Sequence, residues 1–432
     1  MRKLLFLLSS LLVSFSTCYA EATPKESPKQ ELEVQKAEKR KKLLILSCAG
    51  GYGHITATNT LVELFKDKYS LQVIYPIDEL RILGVPSGES LYNKMISTGW
   101  IRTVNFVSRY IAPNIFYSKK ERIEEIVQNH IERENPDLIV SVIPFINYPA
   151  SEAARKRAVP YLLITTDNDL NNWVHDLEYI THPNFEVTIG ADLPSSRDLL
   201  QDHNISDEKI KTIGLPLRSS FTKSKNLAEL QNVYGISSDK PVVLIMMGGA
   251  GSKQAYKYTK MLSQMDLSIQ LIAIAGKNKD LYNQMKKLKP HVSNSLLVLS
   301  FTENIADVMA LSDVLITKPG PGTINEAISM KLPVLLDTSS TPLFWEKVNS
   351  ELVKQYRIGE VISKKRKLPR LLEKYLFDGE FREEIAISFN HIPENSFEKD
   401  IEPIIENLIE GSSLVQNVLK QARSNDLTAQ NN

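Results

Sequence analysis

From Lys42 onward the chain alternates between short apolar runs and stretches in which apolar residues recur every three or four positions. "KLLILSCAG" reads as a buried strand that stops at glycine, and Ala57, Leu61, Leu64 and Phe65 after it fall at helical spacing. "LQVIYPID" predicts the next strand, and Ile123, Ile126, Val127 and Ile131 predict a helix stripe that stops at Asn135-Pro136. "DLIVSVI" and "YLLITTD" are two further strands. The character changes near "IKTIGLPLRSSF" (210–221), after which a fresh series begins: "PVVLIMM", "IQLIAIAG", "SLLVLSF", "DVLITKPG" and "PVLLD". Strands alternating with helices predict parallel sheets. The expected fold class is therefore α/β with two Rossmann-like domains, at about 41–216 and 217–395. A last apolar face, Ile401, Ile404, Ile405, Leu408 and Ile409, predicts a terminal helix within 396–420, and the polar residues 421–432 read as a tail.

The first 40 residues belong to neither domain. Arg2-Lys3, the run "LLFLLSSLLVSF" and "CYA" read as a signal peptide or signal-anchor over 1–20, implying export or membrane anchoring. Residues 21–40 are charged, contain proline and read as a flexible linker. Composition narrows the function classes. With 52 Lys and Arg against 51 Asp and Glu, the charges nearly cancel, which argues against a nucleic-acid partner. Two cysteines, Cys18 and Cys48, build neither a disulfide framework nor a zinc cluster. His175, Asp176 and His182 have no third ligand at a useful spacing, so no metal is expected.

In doubly wound sheets ligands bind beyond the carboxyl ends of the strands, and the glycine clusters fall there: "AGGYGH" (49–54), "GGAGS" (248–252), "AGKN" (275–278) and "KPGPGT" (318–323). In the last, Gly320 and Gly322 let the backbone approach a ligand or take positive φ, Pro319 and Pro321 stiffen the turn, and Thr323 begins a helix whose N-terminus suits a diphosphate. Thr323-x-x-Glu326 is equally a capping box serving only its own helix. His54 sits in a first helical turn, as a base, an orienter of a sugar hydroxyl, or a structural histidine. Asp167 ends a strand, where it takes a proton, holds His54, or makes an Asx turn. Between Ser90 and Lys120 there are five Lys or Arg and no acid, interleaved with Trp100, Phe106, Tyr110, Phe116 and Tyr117. That mixture predicts an anionic membrane surface as partner, met by Trp100, Arg102, Phe106, Arg109 and Tyr110.

Taken in order, "DVLITKPGPGTINEAISMKLPVLL", "TIGLPLRSSF", "GGAG", "AGKN" and "FTENIADVMALSD" resemble the GT-B glycosyltransferases of the monogalactosyldiacylglycerol synthase and processive diacylglycerol glucosyltransferase family. The peptidoglycan transferase that adds N-acetylglucosamine to a lipid is a more distant relative. The resemblance runs from about Lys42 to Ile409. It implies inverting, metal-independent hexose transfer from UDP-glucose or UDP-galactose to diacylglycerol, with no cofactor besides the donor substrate. Gly51, Gly53 and His54 match the glycine-rich loop whose histidine faces donor sugar and acceptor, Gly248 and Gly249 a loop near the diphosphate, and Gly276 and Asn278 a loop near the nucleotide. Phe301 matches a uracil neighbour, and Gly320, Gly322 and Thr323 the diphosphate turn. Glu326 matches the acid on the ribose hydroxyls, and Glu346 and Asn349 the region reading the donor sugar. His54 and Asp167 are the expected catalytic pair. The chain departs from the family at Tyr52, where a third glycine is common, at Lys277, where arginine is usual, and at Trp345, where glutamine is usual. The rival expectation is a GT-B protein that binds without catalysis, acts on a non-lipid acceptor, or epimerises a UDP-sugar.

Overall fold

The computed structural model describes residues 40–48, 52–80, 100–191 and 193–412. The leader, the linker before Arg40, Gly51 and the 421–432 tail lie outside the described residues. Two wholly parallel six-stranded sheets form the frame. The first contains β1 (Lys42–Leu46), β2 (Ser70–Ile74), β3 (Leu138–Ser141), β4 (Tyr161–Ile164), β5 (Phe185–Ile189) and β6 (Ile210–Thr212), in the order β2-β1-β3-β4-β5-β6. The second contains β7 (Val242–Met246), β8 (Gln270–Ile274), β9 (Ser295–Leu299), β10 (Val314–Thr317), β11 (Val334–Asp337) and β12 (Gly359–Ile362), in the order β12-β11-β10-β7-β8-β9. This is the GT-B architecture.

The central strands are apolar on both faces because helices cover both sides of a parallel sheet. Leu43, Leu44, Ile45 and Leu46 are all buried, as are Val243, Leu244 and Ile245. Each such side chain contributes about 1.5–3 kcal/mol relative to an exposed one. The helix Lys120–Glu134 buries Ile123, Ile126, Val127 and Ile131 and ends where Asn135 turns left-handed (φ 46°) and donates its N–H to the Ile131 carbonyl.

Three strands exceed the sequence expectation: β5, β6 and β12. β6 is three residues long on a sheet edge, and β12 carries an exposed glutamate, so neither shows the buried apolar run that marked the others. Gly359 is nonetheless fixed by packing, since a Cβ there would lie 2.0 Å from the Val334 carbonyl oxygen.

The terminal helix, 397–412, packs on the first sheet rather than the second. Phe397, Ile401, Ile405, Leu408 and Ile409 join the core of β1–β6, Ser412 Oγ donates to the Ala158 carbonyl (3.1 Å), and Lys68 pairs with Glu402. The chain therefore crosses between domains twice. The domains also touch at the cleft, where Asn168 Nδ2 donates to Asn349 Oδ1 (2.8 Å) and Asn105 brackets the loop of Pro342 and Phe344 (both 3.0 Å).

Candidate functional site

Beyond the carboxyl ends of β7 and β8 two glycine loops interlock. Gly251 (φ 79°) lies so close to the second loop that a Cβ would stand 2.1 Å from the Ala275 carbonyl oxygen, and one on Gly276 (φ 63°) would stand 2.5 Å from that of Gly249. The Lys277 N–H donates to the Gly249 carbonyl at 2.9 Å. The loops thus form one rigid unit, with Gly248 (φ 86°) also in the left-handed region. Asn278 Oδ1 accepts from the Leu281 N–H (2.9 Å), so this oxygen caps the helix Lys279–Lys286. Phe301 is exposed, with Lys277 Nζ 4.9 Å from its ring centre.

The turn after β10 differs from its sequence reading in two ways. Its helix starts at Pro321, with Gly320 as N-cap, rather than at Thr323. Gly320 is extended (φ −75°), and neither it nor Gly322 adopts positive φ. The capping box does not form, because Thr323 already lies inside the first turn and Glu326 is engaged elsewhere: its Oε1 accepts from Arg218 Nη2 at 2.7 Å. Glu326 is buried, and burial pushes its carboxyl above the usual range against the opposing pull of Arg218. The first-turn N–H groups of Gly322 and Thr323 have no acceptor within their own helix. A Cβ on Gly322 would meet nothing within 4 Å. Intramolecular packing therefore does not require this glycine, and helix propensity disfavours it. Gly322→Ala should raise thermal stability, by about 0.5–1 kcal/mol, and weaken UDP binding measured by calorimetry. Unchanged UDP affinity would assign that open space no ligand.

Glu346 and Asn349 are buried braces. Glu346 Oε2 accepts from the Leu343 N–H (3.1 Å) and Oε1 pairs with Lys318 Nζ. Asn349 Nδ2 donates to the Pro319 carbonyl (2.9 Å) while its Oδ1 takes the bond from Asn168. Asp167 is the residue before Asn168, so a continuous hydrogen-bonded path joins the end of β4 to the turn after β10.

On the first domain, His54 is the third residue of the helix Tyr52–Phe65. Its Nδ1 lies 2.8 Å from the Val142 carbonyl and 3.2 Å from Thr166 Oγ1. A carbonyl can only accept, so Nδ1 carries the proton and Nε2 keeps its lone pair. Burial lowers the His54 pKa to about 4, against the opposing pull of the Val142 bond. The ring packs 5.8 Å from the buried Trp173. Asp167 does not hold His54 by a direct hydrogen bond, as the sequence allowed. Its Oδ2 accepts instead from Trp173 Nε1 (3.0 Å), so one indole touches both residues. Burial pushes the Asp167 carboxyl up to about 7, opposed by the indole bond and supported by the charges of Asp169 and Glu346. His182 bonds to the Val159 carbonyl and His175 stacks on Phe145. Among the described residues no three His, Cys, Asp or Glu side chains converge as a metal site.

Residues 101–118 form a helical segment with a π-turn at Val107–Ile111. Trp100, Phe106 and Tyr110 are 63%, 57% and 57% exposed, and Arg109 lies 5.8 Å from the Phe344 ring centre. Among the described residues no helix is long and apolar enough to cross a membrane. The sequence reading did not single out Thr166, Asn168, Trp173, Arg218 or Lys318. Arg218 and Lys318 lie inside quoted motifs, whereas Asn168 gains its role only through Asn349, 181 residues on, and Trp173 joins its near neighbour Asp167 to the remote His54.

The family description "Monogalactosyldiacylglycerol (MGDG) synthase" matches residues 54–217, and "Glycosyltransferase family 28 C-terminal domain" matches residues 242–400. Taken in order, the two matches run through most of the chain, which is similar in both halves to this GT-B glycosyltransferase family. A curated relative, the processive diacylglycerol beta-glucosyltransferase of Bacillus pumilus (strain SAFR-032), is 26% identical over 399 residues, covering 89% of this chain and 98% of that one. Similar solved folds include Acinetobacter baumannii MurG (TM-score 0.55, 12% identity, 85% of this chain and 99% of that one). A second is an S. aureus MnaA–UDP co-structure (TM-score 0.53, 12% identity, 86% and 97%). The two family matches divide at the junction, one ending at 217 and the other beginning at 242, so His54 and Asp167 fall in the first and the glycine turns in the second.

Proposed function

We propose that this chain transfers a hexose from a UDP-sugar to the free hydroxyl of diacylglycerol, with inversion at the anomeric carbon and without a metal ion. The observation that carries the reading is the path Asp167-Asn168–Asn349–Pro319, which ties a neutral histidine's strand ends to a glycine-bare helix N-terminus across one cleft. His54 Nε2 takes the proton of the acceptor hydroxyl. The hydroxyl oxygen attacks the anomeric carbon as the bond to the diphosphate breaks, and UDP departs with the electron pair. Charge developing on that leaving group meets the first turn of Pro321–Ser329 and the backbone of 248–252. Holding donor and acceptor in line removes on the order of 7 kcal/mol or more of barrier. Glu326 binds the ribose hydroxyls through the oxygen that Arg218 does not take, and Phe301 flanks the uracil.

The relative's printed activity, a diacylglycerol glucosyltransferase, supports the acceptor class. Incubating the full chain with UDP-glucose or UDP-galactose and diacylglycerol vesicles should yield a glycolipid whose anomeric configuration, read by NMR, is inverted, with or without chelator. UDP release without lipid product would overturn the acceptor and favour an epimerase-like or non-lipid enzyme.

We further propose that Trp100, Phe106 and Tyr110 enter an anionic membrane interface flanked by Arg102 and Arg109. Each basic group near such a surface contributes about 1 kcal/mol. Arg102→Glu with Arg109→Glu should weaken binding to anionic vesicles by more than ten-fold at low salt and flatten its salt dependence. Equal binding would leave this surface unassigned.

A further inference from the structure

The diphosphate reading so far rests on backbone groups alone, although a leaving group with two or more negative charges calls for a cation. Among the basic side chains at the glycine turns, Arg218, Lys277 and Lys318 have described partners there. Arg218 is committed to Glu326, and Lys277 lies over Phe301. Lys318 is placed differently. Its Cε would lie 3.4 Å from a Cβ on Gly248 and 3.6 Å from one on Gly320, so its stem runs between the first glycine loop and the turn after β10. Its side chain is 43% exposed, while that of Glu346, with which it pairs, is almost completely buried. Glu346 is held from behind by the Leu343 N–H, so the carboxylate is fixed and the ammonium, at the end of a flexible stem, is the mobile partner.

We propose that Lys318 is the cationic ligand of the donor diphosphate and that Glu346 is its counter-ion in the empty site. Donor binding moves the ammonium from carboxylate to phosphate, and the Oε1 of Glu346 that it vacates accepts a hydroxyl of the donor sugar. The inference rests on the UDP-sugar reading above and adds the exchange. No bond is made or broken in this step. A charged donor replaces one anionic partner of Lys318 by another of higher charge, and a buried carboxylate that loses its cation takes hydrogen bonds from the sugar instead. The sugar is thereby read only once the diphosphate is seated. A donor lacking the second phosphate leaves Lys318 on Glu346 and the sugar-reading oxygen closed.

Calorimetric titration of the full chain with UDP and with UMP tests this. The wild-type chain should prefer UDP. Lys318→Gln should shrink that preference by about ten-fold or more, with UMP affinity changed by no more than about two-fold, and Lys318→Arg should restore most of it. Glu346→Gln should act in the opposite direction on binding: UDP affinity should rise several-fold because the competing charge is gone, while turnover with the UDP-sugar falls. Circular dichroism verifies folding, and the glutamate variant is informative even if the lysine variant fails to fold. An unchanged UDP-to-UMP ratio in folded Lys318→Gln, or weaker UDP binding in Glu346→Gln, overturns the exchange and leaves the donor site standing. A wild-type chain that takes up no UDP overturns the donor site itself.

Discussion

His54→Ala should lower kcat by two to four orders of magnitude, the range a positioned general base contributes, and leave UDP affinity within about two-fold. The expectation follows from how the imidazole is held. Its Nδ1–H is spent on the Val142 carbonyl, which fixes the tautomer and leaves Nε2 as the basic atom. Burial keeps the ring neutral, with a pKa near 4, so it is ready to accept a proton throughout the neutral range. The pH profile then distinguishes the two candidate bases. If His54 is the base, kcat/KM stays level as pH falls from 8 to about 5 and drops only on approach to 4. If Asp167 is, the acid limb is centred near 7, where burial has raised its carboxyl. Stability carries the same signature for His54. Its folded pKa lies below the 6.5 of an exposed histidine, so between about 6.5 and 4 the unfolded chain binds the additional proton. This contribution to stability is present above that window and is lost as pH falls through it. Near-normal turnover in a folded His54→Ala chain would remove this residue from the chemistry.

Arg218→Ala should destabilise the protein by about 3 kcal/mol, the lower part of the range for stranding a buried charge. Arg218 rises from the interdomain connection to give Nη2 to Glu326 and Nη1 to the Glu303 carbonyl (3.3 Å), with its guanidinium 4.9 Å from the Phe221 ring centre. Its removal leaves the Glu326 carboxylate without its cation in a site where desolvation already opposes ionisation. Adding Glu326→Gln to the same chain should recover more than half of the loss, because the neutral amide has no charge to strand. Chemical denaturation of the two single variants and the double variant closes the cycle. Additive effects would mean that the pair is not coupled and that Arg218 acts through Phe221 alone. The same cycle read with UDP should show Glu326→Gln weakening the nucleotide whether or not Arg218 is present, since the proposed ribose contact uses the oxygen that Arg218 does not take.

Much of the frame around the candidate site is legible in the sequence because its glycines and apolar runs carry local meaning. "PVVLIMMGGAG" announces a buried strand and a close backbone approach, and the structure supplies the reason: Gly251 and Gly276 lock two loops together. The turn at 318–323 is recognisable as a strand-to-helix turn, yet the helix starts two residues earlier than its sequence suggests. Thr323 offers a cap by composition, but Pro321 with its fixed φ already opens the helix. The partners of the polar residues were less legible. Glu326 looked like a member of a capping box, and its true partner lies 108 residues earlier. Asp167 looked like a partner for His54, and the indole of Trp173 stands between the two roles.

Taken by itself, the chain determined the alternation of strand and helix and the glycine turns at strand ends, since each follows from the periodicity of burial or from backbone freedom at single residues. Tertiary structure alone decided that the terminal helix returns to the first sheet, that Asn168 meets Asn349, and that Lys318 rests on Glu346. Side-chain partnerships across a cleft depend on where two separately folded sheets bring their ends. Apolar patterning specifies which face of an element is buried, but it does not specify which polar groups will meet across the remaining gap.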